Sequence, residues 1–170
     1  NNRRRGPDVQ ATGFDFDARR GCGIRRRCAG WAADRALPIM AETAVVTGAG
    51  GFIGGHLATA LVRRGSHVRA FLRYNSRGDR GSLEWHDQHV VRDMEVIFGD
   101  LRDVESVGRA ITGADVVFHL GAQIAIPYSY VNARDFFETN VLGTLNVAEA
   151  ALRAGVRRVV HTSTSEVYGT

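Results

Sequence analysis

Hydrophobic and polar positions between residues 43 and 162 fall into blocks whose period switches repeatedly between that of a strand and that of a helix. Thr43–Thr47 (TAVVT) is a short, β-branched apolar run that ends in glycines, as a buried parallel strand does. From Phe52 to Arg64 the residues Phe52, Ile53, Leu57, Leu61 and Val62 stand near helical spacing, and Gly65 closes the helix. His67–Leu72 predicts a second strand, and residues 73–92 a polar connection with one short helix around Leu83–His86. Met94–Phe98 predicts a third strand, after which Asp103 caps a helix running to about Thr112. Asp115–Leu120 (DVVFHL) predicts a fourth strand, followed by a long helix from about Val131 to Ala154, ended by Gly155. Arg157–Thr162 (RRVVHT) predicts a fifth strand.

Strand and helix alternating through short loops imply an α/β protein with a parallel sheet covered on both faces. The expected member of that class is the doubly wound, dinucleotide-binding (Rossmann) sheet. The chain stops at Thr170, just past the fifth predicted strand, whereas a complete domain of this type continues to a sixth. The expectation is therefore a doubly wound sheet truncated after its fifth strand.

Composition sharpens the domain boundaries. The 170 residues include 44% hydrophobic and 24% charged side chains, values of a globular chain and not of a disordered one. No apolar run is long enough to cross a membrane, and two cysteines exclude a disulfide scaffold. All 22 basic residues are arginines, and they are unevenly placed: residues 1–39 hold nine arginines against four aspartates, residues 40–170 thirteen arginines against fourteen acids. Residues 1–39 show neither a helical nor a strand period, so they are expected to be a disordered basic extension preceding a domain at residues 40–170. On charge alone an arm for nucleic acid or an anionic surface is the alternative. A twin-arginine or transit signal lacks the apolar segment that should follow its arginines. Cys22 and Cys28 lie in this extension without histidine partners, so no metal site is expected.

Between the first strand and helix lies Thr47-Gly48-Ala49-Gly50-Gly51-Phe52-Ile53-Gly54. Gly48 permits the tight turn out of the strand, Gly51 lets backbone approach a pyrophosphate, and Gly54 lets the helix pack closely on the sheet. The helix start at Phe52 and Ile53 then offers free N–H groups to the anion. A glycine turn can be purely structural, but the strand–loop–helix context is the one that dinucleotide binding requires.

TGAGGFIG resembles the cofactor loop of the extended short-chain dehydrogenases/reductases, the nucleotide-sugar epimerases and dehydratases. The resemblance runs from about Thr43 to the last residue and is carried also by GDLRD (Gly99–Asp103), FHLGAQ (Phe118–Gln123), NVLGT (Asn140–Thr144) and HTSTSEVYG (His161–Gly169). It implies that Asp100 and Leu101 contact the adenine, that Leu120, Gly121 and Ala122 run beside the phosphates and ribose, and that Asn140 holds active-site backbone. The cofactor it implies is NAD(P). Relatives that bind NAD usually carry an acid at the end of the second strand; here Arg73 and Arg77 stand in that region, with no carboxylate before Asp79. Two guanidinium groups suit a 2′-phosphate, which favours NADP; the alternative is a solvated pair with NAD held elsewhere.

Thr162-Ser163-Thr164-Ser165-Glu166-Val167-Tyr168-Gly169 bears on the reaction. Epimerases typically have a small residue where Glu166 stands, and the 4,6-dehydratases resemble this chain in placing a carboxylate there. The resemblance implies oxidation of a sugar at C4, removal of the C5 proton by Glu166 as general base, loss of water from C6 and return of hydride to C6. Thr164 would hydrogen-bond near O4, and Ser165 would orient the departing group. Glu166 as the cap of a following turn is the structural alternative. Thr-Ser-Glu is similar to the GDP-mannose type. RYNSRGDRGSLE and AIPYSYVNARDFFETN are similar to the group acting on nucleotide-activated N-acetylglucosamine, of the legionaminic-acid type. In that comparison Ser129 and Tyr130, after Pro127, sit in a loop facing the sugar, or else serve as a helix cap and a packed aromatic.

The family oxidises with a Tyr-x-x-x-Lys pair, and this chain has no lysine. It is therefore expected to be the N-terminal part of such an enzyme, lacking the substrate region and inactive alone. A nucleotide-sugar 4-epimerase or reductase, or a non-catalytic NAD(P)-binding module, are the alternatives. The expected partners are a nucleotide-activated sugar and, through long helices, a second copy of the full-length chain, with no nucleic acid, no membrane and a cytoplasmic location.

Overall fold

A computed structural model of the chain describes residues 42–164. The basic extension with Cys22 and Cys28, and the candidate residues Ser165 and Glu166, lie outside the described residues. Among the described residues five strands, β1 (Thr43–Thr47), β2 (His67–Arg73), β3 (Glu95–Gly99), β4 (Val116–His119) and β5 (Arg158–His161), pair in parallel in the order β3-β2-β1-β4-β5. The winding direction reverses between β1 and β4, and a crevice therefore opens at the carboxyl ends of these two strands. This is the doubly wound sheet that the sequence predicts.

Strand β1 shows why the strands read as unbroken apolar runs. Val45 and Val46 are both fully buried, yet consecutive side chains point to opposite faces of the sheet. Val45 packs with Phe71, Val107, Ile111, Val117 and Val147, beneath helices α3 (Val104–Ile111) and α6 (Gly143–Arg153). Val46 packs with Ala58, Val68, Leu72, Leu83 and Val91, beneath α1 (Phe52–Arg63), a 3-10 turn at Gly81–Trp85 and α2 (Gln88–Arg92). The connection at residues 73–92 thus carries two short elements instead of one, because Leu83 and Val91 are both drawn into the core. Asp87 caps α2 by accepting from the His89 N–H at 3.0 Å.

The strand ends differ from expectation by a residue or two. β2 reaches Arg73, which pairs in register with Gly99, and β5 stops at His161. The long helix differs more. Residues expected to lie in a loop form α4 (Ile126–Val131), and a new helix, α5 (Ala133–Phe137), starts after Asn132, whose φ of −139° ends α4. The Asn132 side chain accepts from the Asp135 N–H at 3.2 Å and caps α5. A π-helical turn at Glu138–Leu142 then leads into α6. Gly143 begins α6 where a Cβ would lie 2.9 Å from Cβ of Leu101, so α6 rests directly on the segment after β3.

Candidate functional site

A crevice of about 1010 Å³ lies over the carboxyl ends of the strands. One wall is the glycine loop. Gly48 has φ +71° and lies so near β4 that a Cβ there would come 2.8 Å from the Gly121 nitrogen. Gly54 faces the backbone of the same turn: its Cβ would lie 2.8 Å from the Gly48 carbonyl carbon and 2.9 Å from Cα of Ala49. At Gly51 a Cβ would meet only the Gly48 oxygen, at 3.3 Å, so this glycine leaves the mouth of the turn open. The turn is closed by the Gly51 N–H donating to the Gly48 carbonyl at 3.0 Å.

Helix α1 starts from this turn without a side-chain cap and with no acid in its first turn. Its first internal bond beyond the cap runs from Gly55 N–H to the Gly51 carbonyl, and the N–H groups of Phe52, Ile53 and Gly54 have no partner among the described residues. Phe52 and Ile53, 72% and 66% exposed, line the crevice. Bare amides at the positive end of a helix, reached past glycines, fit the pyrophosphate of a dinucleotide.

A second wall comes from the end of β3. Asp100 is gripped by Arg102: Nε donates to Oδ1 at 2.9 Å, Nη2 to Oδ2 at 2.6 Å, and the Arg102 backbone N–H to Oδ1 at 2.9 Å. These bonds hold the Asp100 carboxyl below its ordinary range, and the charge of Arg73 adds to the effect. Arg102 reaches on to Asp135 of α5 (Nη1–Oδ1, 2.7 Å), and Asp135 accepts from the Gln123 side chain at 3.0 Å. Asn140 then fixes the Gln123 backbone from both sides, accepting from its N–H at 2.7 Å and donating to its carbonyl at 2.9 Å. That is backbone-holding geometry, and it is delivered by the π-helical turn.

The floor is polar and buried. His119 is 2% exposed, and both ring nitrogens are engaged, Nδ1 with the Thr47 hydroxyl at 2.7 Å and Nε2 with that of Thr144 at 2.9 Å. Thr47 also accepts from the Gly121 N–H at 3.1 Å, which ties β1 to the loop after β4. The His119 ring stacks on His161 at 5.3 Å. Burial, followed by the charge of His161, lowers the His119 pKa to about 4, so its imidazole is neutral at ordinary pH.

Of the residues expected at a cofactor site, Gly48, Gly51, Phe52, Ile53, Gly54, Arg73, Asp100, Leu101, Leu120, Gly121 and Ala122 all line this one crevice. Thr164 lines it too, the chain after β5 being led there by the Thr162 N–H donating to the His119 carbonyl at 3.1 Å. Arg77, Ser129 and Tyr130 are not among its lining residues. Ser129 and Tyr130 stand on α4, where Ser129 donates to the Ile126 carbonyl and Tyr130 is 86% exposed rather than packed. Arg102, Asp135, Gln123 and His119 join the site without a role predicted for them from the sequence. Arg102, Gln123 and His119 belong to the GDLRD and FHLGAQ motifs, but their pairing spans distances that no local pattern records.

The sequence of residues 45–170 matches the family described as GDP-mannose 4,6 dehydratase. Among curated relatives, sterol demethylase protein B of Methylococcus capsulatus is 39% identical over 127 residues, covering 75% of this chain and 36% of that protein. UDP-N-acetyl-alpha-D-glucosaminuronate decarboxylase of Bacillus cytotoxicus is 35% identical over 130 residues, covering 76% of this chain and 39% of that protein. The solved structure of DesIV, a dTDP-glucose 4,6-dehydratase from Streptomyces venezuelae determined with NAD bound, superposes with a TM-score of 0.64 at 35% identity, over 75% of this chain and 41% of that one. The chain thus spans about two fifths or less of the length of these relatives.

Proposed function

The chain belongs to the GDP-mannose 4,6 dehydratase family, and from that premise we propose that residues 42–164 are the dinucleotide-binding part of an enzyme that dehydrates a nucleotide-activated sugar across C5 and C6. The observation that carries the reading is that the unpartnered amides of Phe52, Ile53 and Gly54 open onto the same crevice as Thr164.

In this reading Gly48, Gly51 and Gly54 make room for the pyrophosphate, and the amides of Phe52, Ile53 and Gly54 bind it. Asp100 and Leu101 receive the adenine, while Leu120, Gly121 and Ala122 flank the ribose and phosphates. Arg73, in the crevice and uncompensated by an acid at the β2 end, favours a 2′-phosphate and hence NADP. NAD, present in the solved dTDP-glucose dehydratase, is the competing choice. A dinucleotide held by these residues would supply the redox chemistry, hydride acceptance from the sugar C4 and its return to C6.

The chain's own residues handle protons and orientation. Thr164 donates a hydrogen bond near O4. Once C4 is a ketone the C5 proton is acidic, and Glu166 removes it as general base and passes that proton to the C6 hydroxyl, oriented by Ser165, which leaves as water as the C5–C6 double bond forms. Asn140 keeps the Gln123 backbone in place beside the reacting end. The 170 residues contain no lysine to lower a catalytic tyrosine's pKa, so by themselves they bind dinucleotide without turning over sugar.

Relatives named 2-alkyl-3-oxoalkanoate reductase and CDP-paratose 2-epimerase, 38% and 34% identical, support a second reading, a reductase or epimerase using the same crevice on another substrate. The two separate in one assay. The protein as expressed from its gene is incubated with NAD or NADP and GDP-mannose or UDP-N-acetylglucosamine, and products are followed by mass. Loss of 18 Da (about one water) supports dehydration, and its disappearance in Glu166→Gln assigns the base. An isomer of unchanged mass supports the second reading.

A further inference from the structure

We propose that Arg102 is a positioning residue that determines which oxygen of Asp100 reads the adenine amine. The inference rests on the dinucleotide reading of the crevice. A carboxylate oxygen has two acceptor sites. Oδ1 of Asp100 already accepts from the Arg102 backbone N–H and from Nε–H, each at 2.9 Å, so it is saturated. Among the described residues Oδ2 accepts only Nη2–H, at 2.6 Å, which leaves it one acceptor site. A base amine arriving in the crevice therefore has a single acceptor on Asp100, and the direction of its remaining lone pair is set by the plane of the guanidinium.

That plane is fixed from the far side. Nη1 of Arg102 donates to Asp135 on α5 at 2.7 Å, and Glu138 lies 3.9 Å away. Asp135 is itself held, by the Gln123 side chain. Arg102 thus ties the end of β3 to α5 through its backbone N–H, Nε, Nη1 and Nη2. A lysine ammonium keeps the charge among three carboxylates but is too compact to hold both oxygens of Asp100 and Asp135 together.

The test compares NAD with its hypoxanthine analogue, in which a carbonyl replaces the adenine amine, by calorimetric titration of the wild-type chain and Arg102→Lys. The wild type is expected to prefer NAD by about tenfold, the value of one hydrogen bond to a charged acceptor. Arg102→Lys is expected to bring the ratio close to one. Asp135→Asn, which releases only the far end of the guanidinium, is expected to lower the ratio less and serves if the lysine variant does not fold. A residue acting only as a strut would weaken both ligands alike, so an unchanged ratio in the folded variants overturns the inference and leaves the dinucleotide reading standing. Failure of the wild type to bind NAD, NADP or the hypoxanthine analogue overturns both.

Discussion

Gly54 lies against the carbonyl of Gly48 so closely that no side chain fits between them, a Cβ at position 54 falling 2.8 Å from the Gly48 carbonyl carbon. The contact seats the first turn of α1 on the turn leaving β1 and aims its amides into the crevice. Gly54→Ala is expected to cost about 1–3 kcal/mol of stability, as overpacking against backbone does, and to abolish dinucleotide binding. Thermal unfolding and NAD titration of the same sample check both outcomes.

Gly51 provides the contrast. It caps α1 with φ −80°, which any residue adopts, and a Cβ there meets only one atom, at 3.3 Å. Gly51→Ala should change stability by no more than about 1 kcal/mol while weakening dinucleotide binding at least tenfold, because the methyl group stands where the anion must approach. Equal losses in Gly51→Ala and Gly54→Ala would mean that the glycines serve the turn and not a ligand.

The cofactor preference tests Arg73 alone, since Arg77 is not among the crevice residues. Arg73→Asp is expected to weaken NADP by about tenfold or more, through loss of a charge-assisted bond and repulsion of the 2′-phosphate, and to leave NAD unchanged or improved. Parallel titrations with the two dinucleotides read the switch directly.

Much of this architecture is legible in residue order, and the exceptions have physical causes. β1, the glycine turn and α1 are local: an apolar run, three glycines and a helical period are adjacent in the chain. The break at Asn132 is hidden because apolar spacing continues through Val131 into α5, whereas the break depends on one side chain accepting from Asp135 N–H. The π-helical turn has no sequence period of its own. The brace from Asp100 through Arg102 to Asp135 joins residues 33 positions apart, and the burial of His119 depends on Thr47 and Thr144 arriving from opposite directions in sequence. Motifs located these residues; only the fold connected them.

His119 predicts a pH dependence of stability. Burial disfavours its imidazolium in the folded protein, so between about 4 and the ordinary value of 6.5 the unfolded chain binds the proton and the folded one does not. The stability from this site is fully present above pH 6.5 and is lost as pH falls toward about 4, to a total of roughly 3 kcal/mol. Melting temperatures across that window, with His119 followed by imidazole NMR, test the sign and the range.

Asn140 should show its role in local dynamics. Asn140→Ala removes both bonds to the Gln123 backbone, at an expected cost of about 1–3 kcal/mol. Amide exchange at Gln123 should accelerate well beyond the change at β1, while a uniform rise in exchange across the sheet would contradict a local backbone-holding role.

The most direct test of the central claim is an amide-resolved NMR titration of the chain with NAD and NADP. Binding at the start of α1 predicts that the Phe52, Ile53 and Gly54 amide resonances shift together and saturably, with Asp100 and Gly121 following at the same concentration. If these amides stay still at millimolar dinucleotide, or if the shifts gather elsewhere on the surface, the crevice does not bind a dinucleotide and the functional reading fails.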